Sequence, residues 1–193
     1  MEYFSPDNTG GKKALWFVMR DLKRPNSLEP AYLFLQQRGF EVFTPMKEVL
    51  LVRHGQKKRE LRPYLQDLLF VHSERALLDP LVERTPTLQY RFGKGLGYRQ
   101  PIIVPDREMA PFIAVSGLAP ATKFFLPEEI TPEMLGREVR IIGGPLDGTQ
   151  CRLLNIRGSR KKRIMVELPE LITASVEVNP EFIQFVSPDQ KQQ

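Results

Sequence analysis

The sequence predicts a two-domain protein of the α+β class, and three features of the residue pattern lead to that prediction. In the first half, apolar runs of strand length flank a segment with helical spacing. In the last part, short runs typical of strands follow one another with turns between them. Between the two parts, residues 116–131 contain prolines and a glycine without any clear period. A chain of 193 residues allows one or two domains, each with a modest core.

Domain boundaries follow from the same pattern. The predicted units are a first domain at 13–115, a linker at 116–131 and a second domain at 132–187. The strands predicted in the second domain are 137–142, 150–156, 163–168, 172–178 and 183–186. Five short strands within about fifty residues are typical of a small β-barrel.

The first domain is predicted to open with a strand, a helix and a second strand. The continuous apolar run 14–19 is typical of a central strand that is covered on both faces. Ser27 is a suitable N-cap for the following helix, and Gly39 is suited to end it. Residues 40–43 then form a strand. Further along, Asp106 is suited to cap a segment in which Pro111 would break an ideal helix.

Positive charge is concentrated in two clusters, although the formal net charge is only +5. The first cluster consists of Arg53, Lys57, Lys58, Arg59 and Arg62, and it connects predicted strands at 48–53 and 64–72. With Gly55 at the predicted turn, this region is predicted to form a long basic hairpin. The second consists of Arg157, Arg160, Lys161, Lys162 and Arg163. Localised positive charge indicates a polyanion as partner. For either cluster taken alone, a solvated loop tip is about equally compatible with the sequence.

The sequence contains no set of residues that suits catalysis, and we predict neither enzymatic activity nor a cofactor. The glycines at 143–144 lack the Lys-Ser/Thr of a phosphate-binding loop. Two histidines and the single cysteine, Cys151, are too few for a structural zinc site. No combination of nucleophile, base and oxyanion hole can be assembled.

Compartment and membrane association are constrained by the same composition. No apolar run approaches the roughly 20 residues that a membrane span needs. Residues 1–11 are polar and lack the hydrophobic core of a signal peptide. A single cysteine suits a reducing compartment. We therefore expect a cytoplasmic protein with no membrane partner.

In the stretch 136–154 an apolar run, a glycine-rich turn and a second run follow one another. Six residues of this stretch form a recognisable pattern: Val139, Ile141, Gly144, Pro145, Leu146 and Gly148. This pattern resembles the KOW motif of transcription elongation factors. Cys151 stands where the family usually has glycine.

Three segments of the first domain carry a second resemblance: Leu15-Trp16-Phe17-Val18, residues 43–49 and residues 62–71. The first two are similar to the aromatic first strand and to the strand after the first helix of the NusG N-terminal (NGN) domain. Residues 62–71 resemble a stretch that usually has Pro-Gly-Tyr at its centre. Here Gln66 and Asp67 replace Pro-Gly, and Leu68 replaces the tyrosine. The resemblance covers residues 13–187, in the order NGN, linker, KOW.

The resemblance to the NusG family implies a fold and a function. The implied fold is an NGN α/β sandwich with a mainly antiparallel sheet, a linker and a small Src-homology-3-like β-barrel. The implied function is transcription elongation and antitermination, through binding to the clamp helices of the largest RNA polymerase subunit. The polymerase contacts carried over by position are Trp16, Tyr64, Leu65 and Leu68. The divergent centre at 66–68 favours a specialised paralogue that acts at particular operons, including polysaccharide operons.

Other partners are left open by the sequence. The first basic cluster suits non-template DNA or nascent RNA. The KOW domain implies a ribosomal protein or a termination factor as its partner. The alternative function is a ribosome- or RNA-binding KOW module, because KOW barrels also occur in ribosomal proteins; the NGN-like half disfavours it.

Overall fold

The chain divides into two compact units, residues 1–106 and 107–193. The computed structural model describes residues 14–24, 27–53, 55–93, 100–118 and 122–186. His54, the side chain of Arg53, the glycine loop after Gly93 and part of the predicted linker lie outside the described residues. The division falls inside the segment predicted as the first domain, and the predicted boundaries remain a prediction.

The first unit combines a sheet with two helices. Its elements are β1 (Leu15–Asp21), α1 (Ala31–Gln36), β2 (Glu41–Phe43), β3 (Met46–Arg53), β4 (Gln56–Pro63), β5 (Leu69–Ser73), α2 (Arg75–Arg84), β6 (Leu88–Tyr90) and β7 (Ile103–Val104). The main sheet has the order β2-β5-β1-β6, and β7 also pairs with β1. All these pairings are antiparallel. The predicted mixed α/β fold with a mainly antiparallel sheet is therefore confirmed.

Strand β1 lies at the centre of this sheet, as its continuous apolar run predicts. Phe17 and Met19 belong to a core cluster that also contains Leu35 of α1 and Leu78 of α2. The alternate residue Val18 is fully buried as well. Because successive side chains of a strand point to opposite faces, both faces of β1 are covered.

The predicted N-cap of the first helix is wrong. Helix α1 begins at Ala31, and its N-cap residue is Pro30, which makes no side-chain capping hydrogen bond. The first helical N–H is satisfied from another element instead. The backbone N of Ala31 donates to Oδ2 of Asp21 on β1, at 2.6 Å. Ser27 lies too far before the helix to cap it.

The predicted strands around the first basic cluster also need correction. The sequence pattern predicts strands at 48–53 and 64–72, with the cluster in the connection between them. The predicted hairpin and its turn at Gly55 are observed, but the second strand is β4, which pairs with β3 over the whole length of β3, and β5 begins only at Leu69. The sequence of β4 contains few apolar residues and no apolar alternation, because neither face of this ribbon lies in a core.

The second unit is built on one antiparallel sheet. Its elements are α3 (Asp106–Ser116), which begins at the boundary between the units, β8 (Lys123–Phe125), β9 (Leu135–Ile141), β10 (Gln150–Leu154), β11 (Arg163–Leu168), β12 (Ile172–Glu177) and β13 (Ile183–Phe185). The sheet has the order β13-β9-β10-β11-β12-β8. Within the described residues this order is an open path, and a closed barrel remains a prediction.

Two elements of this unit differ from what the sequence predicts. Helix α3 continues through Pro111, while Met109, Phe112 and Val115 are fully buried. The burial of one face stabilises the helix and offsets the cost of the backbone hydrogen bond that proline removes. Strand β8 lies within the predicted linker, and Phe124 on it pairs with Ala174 of β12.

Candidate functional site

The first basic cluster lies on a two-stranded antiparallel ribbon, β3–β4, which forms a sheet of its own. The pairing runs from Met46↔Pro63 to Arg53↔Gln56 at the tip. Gly55 at the tip has a φ of +77°, a conformation that glycine adopts without strain. The described basic residues therefore lie along a paired strand, and not in a loose loop.

One face of this ribbon carries apolar and basic side chains together. Directly paired residues share a face of a sheet. Leu50 pairs with Arg59, and Val52 pairs with Lys57. With Leu61 on the same face, the three apolar side chains are 56–63% exposed. The sequence did not indicate this exposure, because an apolar run is typical of a strand that is covered.

The basic side chains of the ribbon form weak ion pairs. The described pairs are Lys58–Glu60 at 3.7 Å, Arg59–Glu48 at 3.4 Å and Arg62–Glu60 at 3.4 Å. Lys57 has no ion pair among the described residues. The four cations are exposed or half-buried, and such pairs are worth about 0–1 kcal/mol. Each cation can therefore exchange its partner for a phosphate at little cost.

Tyr64 and Leu65 lie directly after β4, and both side chains are half-buried. The backbone N of Tyr64 donates to the carbonyl O of Pro45, at 2.7 Å. Lys47 Nζ lies 5.0 Å from the centroid of the Tyr64 ring. Both predicted contact residues are therefore partly accessible and lie next to the basic ribbon.

The other two predicted polymerase contacts, Trp16 and Leu68, are buried. Trp16 is 6% exposed, and its ring stacks on His72 with 5.0 Å between centroids. Leu68 is fully buried, and its carbonyl accepts a hydrogen bond from Thr44 Oγ1 at 2.9 Å. In this structure neither side chain presents a surface to a partner, because each lies in the packed interior.

The residues that replace Pro-Gly are held by side-chain hydrogen bonds. Gln66 Nε2 donates to the carbonyl O of Lys23, at 2.6 Å. Asp67 Oδ2 accepts from Arg91 at 2.8 Å and lies 3.5 Å from Arg20. These bonds fix the turn between β4 and β5 without a proline or a glycine.

The strand, turn and strand predicted around the KOW resemblance are observed as β9, a loop and β10. Val139, Ile141 and Leu146 are buried. Gly144 and Gly148 have φ values of +73° and +77°. The N–H of Gly148 donates to the carbonyl of Ile141 at 2.8 Å and closes the loop. Assignment of this loop, including Pro145, to a KOW motif remains a prediction.

Cys151 pairs with Val139 in this hairpin and is half-buried. Burial raises the pKa of its thiol to about 12. The thiol is therefore protonated at neutral pH and is a weak nucleophile. In the residues that the structure describes, no group of His, Cys, Asp and Glu side chains could hold a metal ion.

The second basic cluster occupies the loop between β10 and β11. Arg163 at its end is only 3% exposed and bonds to Ser175 and Glu177. Lys161 Nζ lies 2.7 Å from Glu177 Oε2. This hydrogen bond, together with the charges of Arg163 and Lys123, holds the pKa of Glu177 below its usual value.

The fold and these surfaces define a protein that presents basic and apolar side chains on exposed strands and loops. Residues 14–113 match the family model described as transcription termination factor NusG. The chain belongs to the NusG family, which indicates a role in transcription.

A solved chain of NusG from Thermotoga maritima, from work on its domain interaction, is 18% identical; the alignment covers 91% of this chain and 98% of that chain, with a TM-score of 0.44. No curated protein matches the sequence. Across the described part of the chain, no helix has the length and apolar character for crossing a membrane.

Proposed function

We propose that this protein is a transcription elongation and antitermination factor that binds RNA polymerase and increases its processivity. The observation that carries the proposal is the NusG-family match over 14–113, the segment that contains the basic ribbon.

The polymerase-binding surface that we propose is the segment at Tyr64 and Leu65, together with the exposed apolar side chains on the mixed face of the ribbon. Both residues are partly accessible, and Leu50 and Leu61 are more than half exposed. Exposed apolar side chains that cluster on one element are typical of an interaction site. Trp16 and Leu68 would support this surface from the interior. The proposed partner is the clamp-helix region of the largest polymerase subunit.

The basic side chains of the ribbon, which lie on both of its faces, are proposed to contact nucleic acid in the elongation complex, namely non-template DNA. Residues 46–63 contain six basic and two acidic residues. A net positive ribbon attracts the phosphate backbone, and it does so without reading sequence. Recruitment to particular operons, as a specialised paralogue, would then require a further sequence-specific contact.

The second unit is proposed to be a KOW-like barrel whose partner is a ribosomal protein or a termination factor. Its antiparallel sheet of short strands and its glycine loop between β9 and β10 support this proposal. The unit would remain available to that partner while the first unit is bound to polymerase.

Bridging polymerase and DNA provides a physical mechanism for processivity. Pausing involves opening of the clamp, and a ligand that binds one state more tightly shifts the population towards that state. A factor held on the clamp by an apolar surface and on DNA by a basic ribbon binds the closed state better. The equilibrium shift cannot exceed the difference between its binding free energies for the two states.

The experiment that tests the proposal is co-purification of RNA polymerase with the tagged chain. We expect Tyr64→Ala combined with Leu65→Ala to weaken binding by on the order of thirtyfold, the effect of removing an interface hot spot. Leu77→Ala is the matched control, because Leu77 is a 58% exposed leucine on α2 of the same unit.

Three results decide between the alternatives. Polymerase that co-purifies with the control but not with the double variant, with unchanged thermal unfolding of both, supports the proposal. Equal retention by both variants contradicts the proposed surface. Recovery of ribosomes without polymerase would favour the second candidate, a ribosome-binding module, which the exposed basic loop of the second unit also fits.

A further inference from the structure

The loop at 156–162, between β10 and β11, projects a second set of basic side chains from the second unit. It contains four basic residues and no acidic residue. Gly158 has a φ of +80°, and the N–H of Ser159 donates to the carbonyl of Ile156 at 3.0 Å. This pattern is a β-turn with glycine at its third position, as in type II. The chain therefore reverses sharply, and the basic residues gather on one compact tip.

Two contacts secure the base of this loop. Glu177 on β12 accepts from Lys161 at 2.7 Å and from Arg163 at 3.0 Å. The guanidinium of Arg163 also donates to the carbonyl of Ser175, at 2.9 Å. Arg163 is thus a structural anchor, and its side chain is not available to a partner. The sequence could not separate it from the other members of the cluster.

The remaining cations of the loop are available. Arg157, Arg160 and Lys162 are exposed, and none has an ion pair within the described part of the chain. Lys123 adds to the same surface. It pairs with Ser175, while Glu177 pairs with Arg163, so that the four share one face of the sheet. The exposed Lys123 therefore lies on the same face of the sheet as Glu177, the carboxylate that anchors the base of the loop.

We propose that this tip binds the phosphate backbone of double-stranded RNA. Residues 156–162 contain no aromatic side chain on which an unpaired base could stack, which disfavours recognition of single strands. The deep, narrow major groove of A-form RNA brings phosphates of the two strands close together, whereas the major groove of B-DNA is about 12 Å wide. A compact tip that carries several cations is suited to phosphates at the closer spacing found across the major groove of RNA.

The test uses the purified full chain without polymerase, so its outcome does not depend on the proposed function. Binding to an RNA stem of about 16 base pairs, the length that a double-stranded RNA domain spans, is measured over a range of salt concentrations. The variant carries Arg157→Gln, Arg160→Gln and Lys162→Gln. We expect affinity to fall on the order of tenfold and the log–log salt slope to flatten by about one unit for each phosphate that is no longer neutralised.

Two further variants serve as controls. Arg38→Gln, Arg84→Gln and Arg140→Gln remove the same charge from scattered exposed positions and should leave the slope nearly unchanged. Arg157→Lys with Arg160→Lys keeps the charge on the tip and should retain binding. This charge-conserving variant also keeps the test valid if the glutamine variant proves unstable in thermal unfolding.

The proposal is overturned by any of three results. The first is an RNA affinity and slope that are unchanged in the glutamine variant. The second is an equal reduction in the scattered variant, which would indicate diffuse attraction only. The third is B-form DNA of the same length binding through the tip as tightly as RNA does.

Discussion

At the scale of single residues, Asp21 illustrates how a buried carboxylate positions a helix. It is 5% exposed and lies at the end of β1. Its two oxygens accept hydrogen bonds from the backbone N–H groups of Ala31, at 2.6 Å, and Lys23, at 2.9 Å. An ionised acceptor at the N-terminus of a helix is favourable, because the free N–H groups there carry partial positive charge.

We predict that Asp21→Ala lowers the free energy of unfolding by about 1–3 kcal/mol, because it leaves the N–H of Ala31 without its partner. Asp21→Asn is the matched control, since it keeps one acceptor oxygen and should cost less. Urea unfolding of both variants measures the difference. If Asp21→Ala unfolds at the same urea concentration as the unmodified chain, this account of the helix start fails.

The pattern of apolar and charged residues in the sequence does not predict the structural role of each of them. Trp16 and Leu68 are assigned by their position in a motif, whereas their burial comes from elements far away in the chain. The role of Asp21 escapes a local pattern because its partner lies ten residues further on. Arg163 is grouped with its neighbours in sequence, although its hydrogen bonds to Ser175 depend on the register of β11 and β12. Contacts between distant residues are set by packing, which local pattern does not specify.

At the scale of elements, the ribbon β3–β4 is the feature with most consequence for function. It pairs only with itself, and the apolar side chains Leu50, Val52 and Leu61 on one of its faces are more than half exposed. Isolated two-stranded hairpins are marginally stable in water. In this ribbon all eight residues of β3 pair with β4, and the glycine at the tip allows the tight turn between the two strands. The face that carries both apolar and basic side chains suits a partner that presents an apolar protein surface next to phosphate groups.

We predict that Lys57→Gln, Lys58→Gln and Arg59→Gln together weaken binding of the full chain to DNA. The salt dependence should flatten by up to about one unit of log–log slope for each phosphate that the ribbon no longer neutralises. Fluorescence anisotropy with a DNA duplex over a range of salt measures the slope. The scattered triple variant at Arg38, Arg84 and Arg140 is the control. An unchanged slope in the ribbon variant would mean that its cations are only solvated.

The sequence predicts most elements but not all their connections. The strands of the second unit lie within a few residues of the expected positions, because each apolar run ends at a turn residue. Strand β8 is not predicted because its three residues carry no period. The predicted basic hairpin with its turn at Gly55 is confirmed, but its second strand is misplaced, because a strand with few apolar residues lacks the alternation that marks a half-buried strand.

At the scale of the whole molecule, the proposed binding functions are distributed over the two units. The first unit contains most of the NusG-family match and the ribbon, and the second contains the 156–162 loop. Polymerase and DNA would then meet the first unit around the ribbon, and RNA would meet the loop of the second unit. Linking such sites raises the effective concentration of each contact once another has formed. Moderate affinities at each surface are therefore sufficient for a stable association with the elongation complex.

The measurement that tests the central claim most directly is single-round transcription by the cognate polymerase through a template that contains pauses and a terminator. We predict that the full chain shortens pause lifetimes and raises read-through, because it favours the closed clamp. The Tyr64→Ala, Leu65→Ala variant should lose the effect, and the Leu77→Ala variant should retain it. Pause lifetimes and read-through that stay the same with and without the full chain would contradict the account.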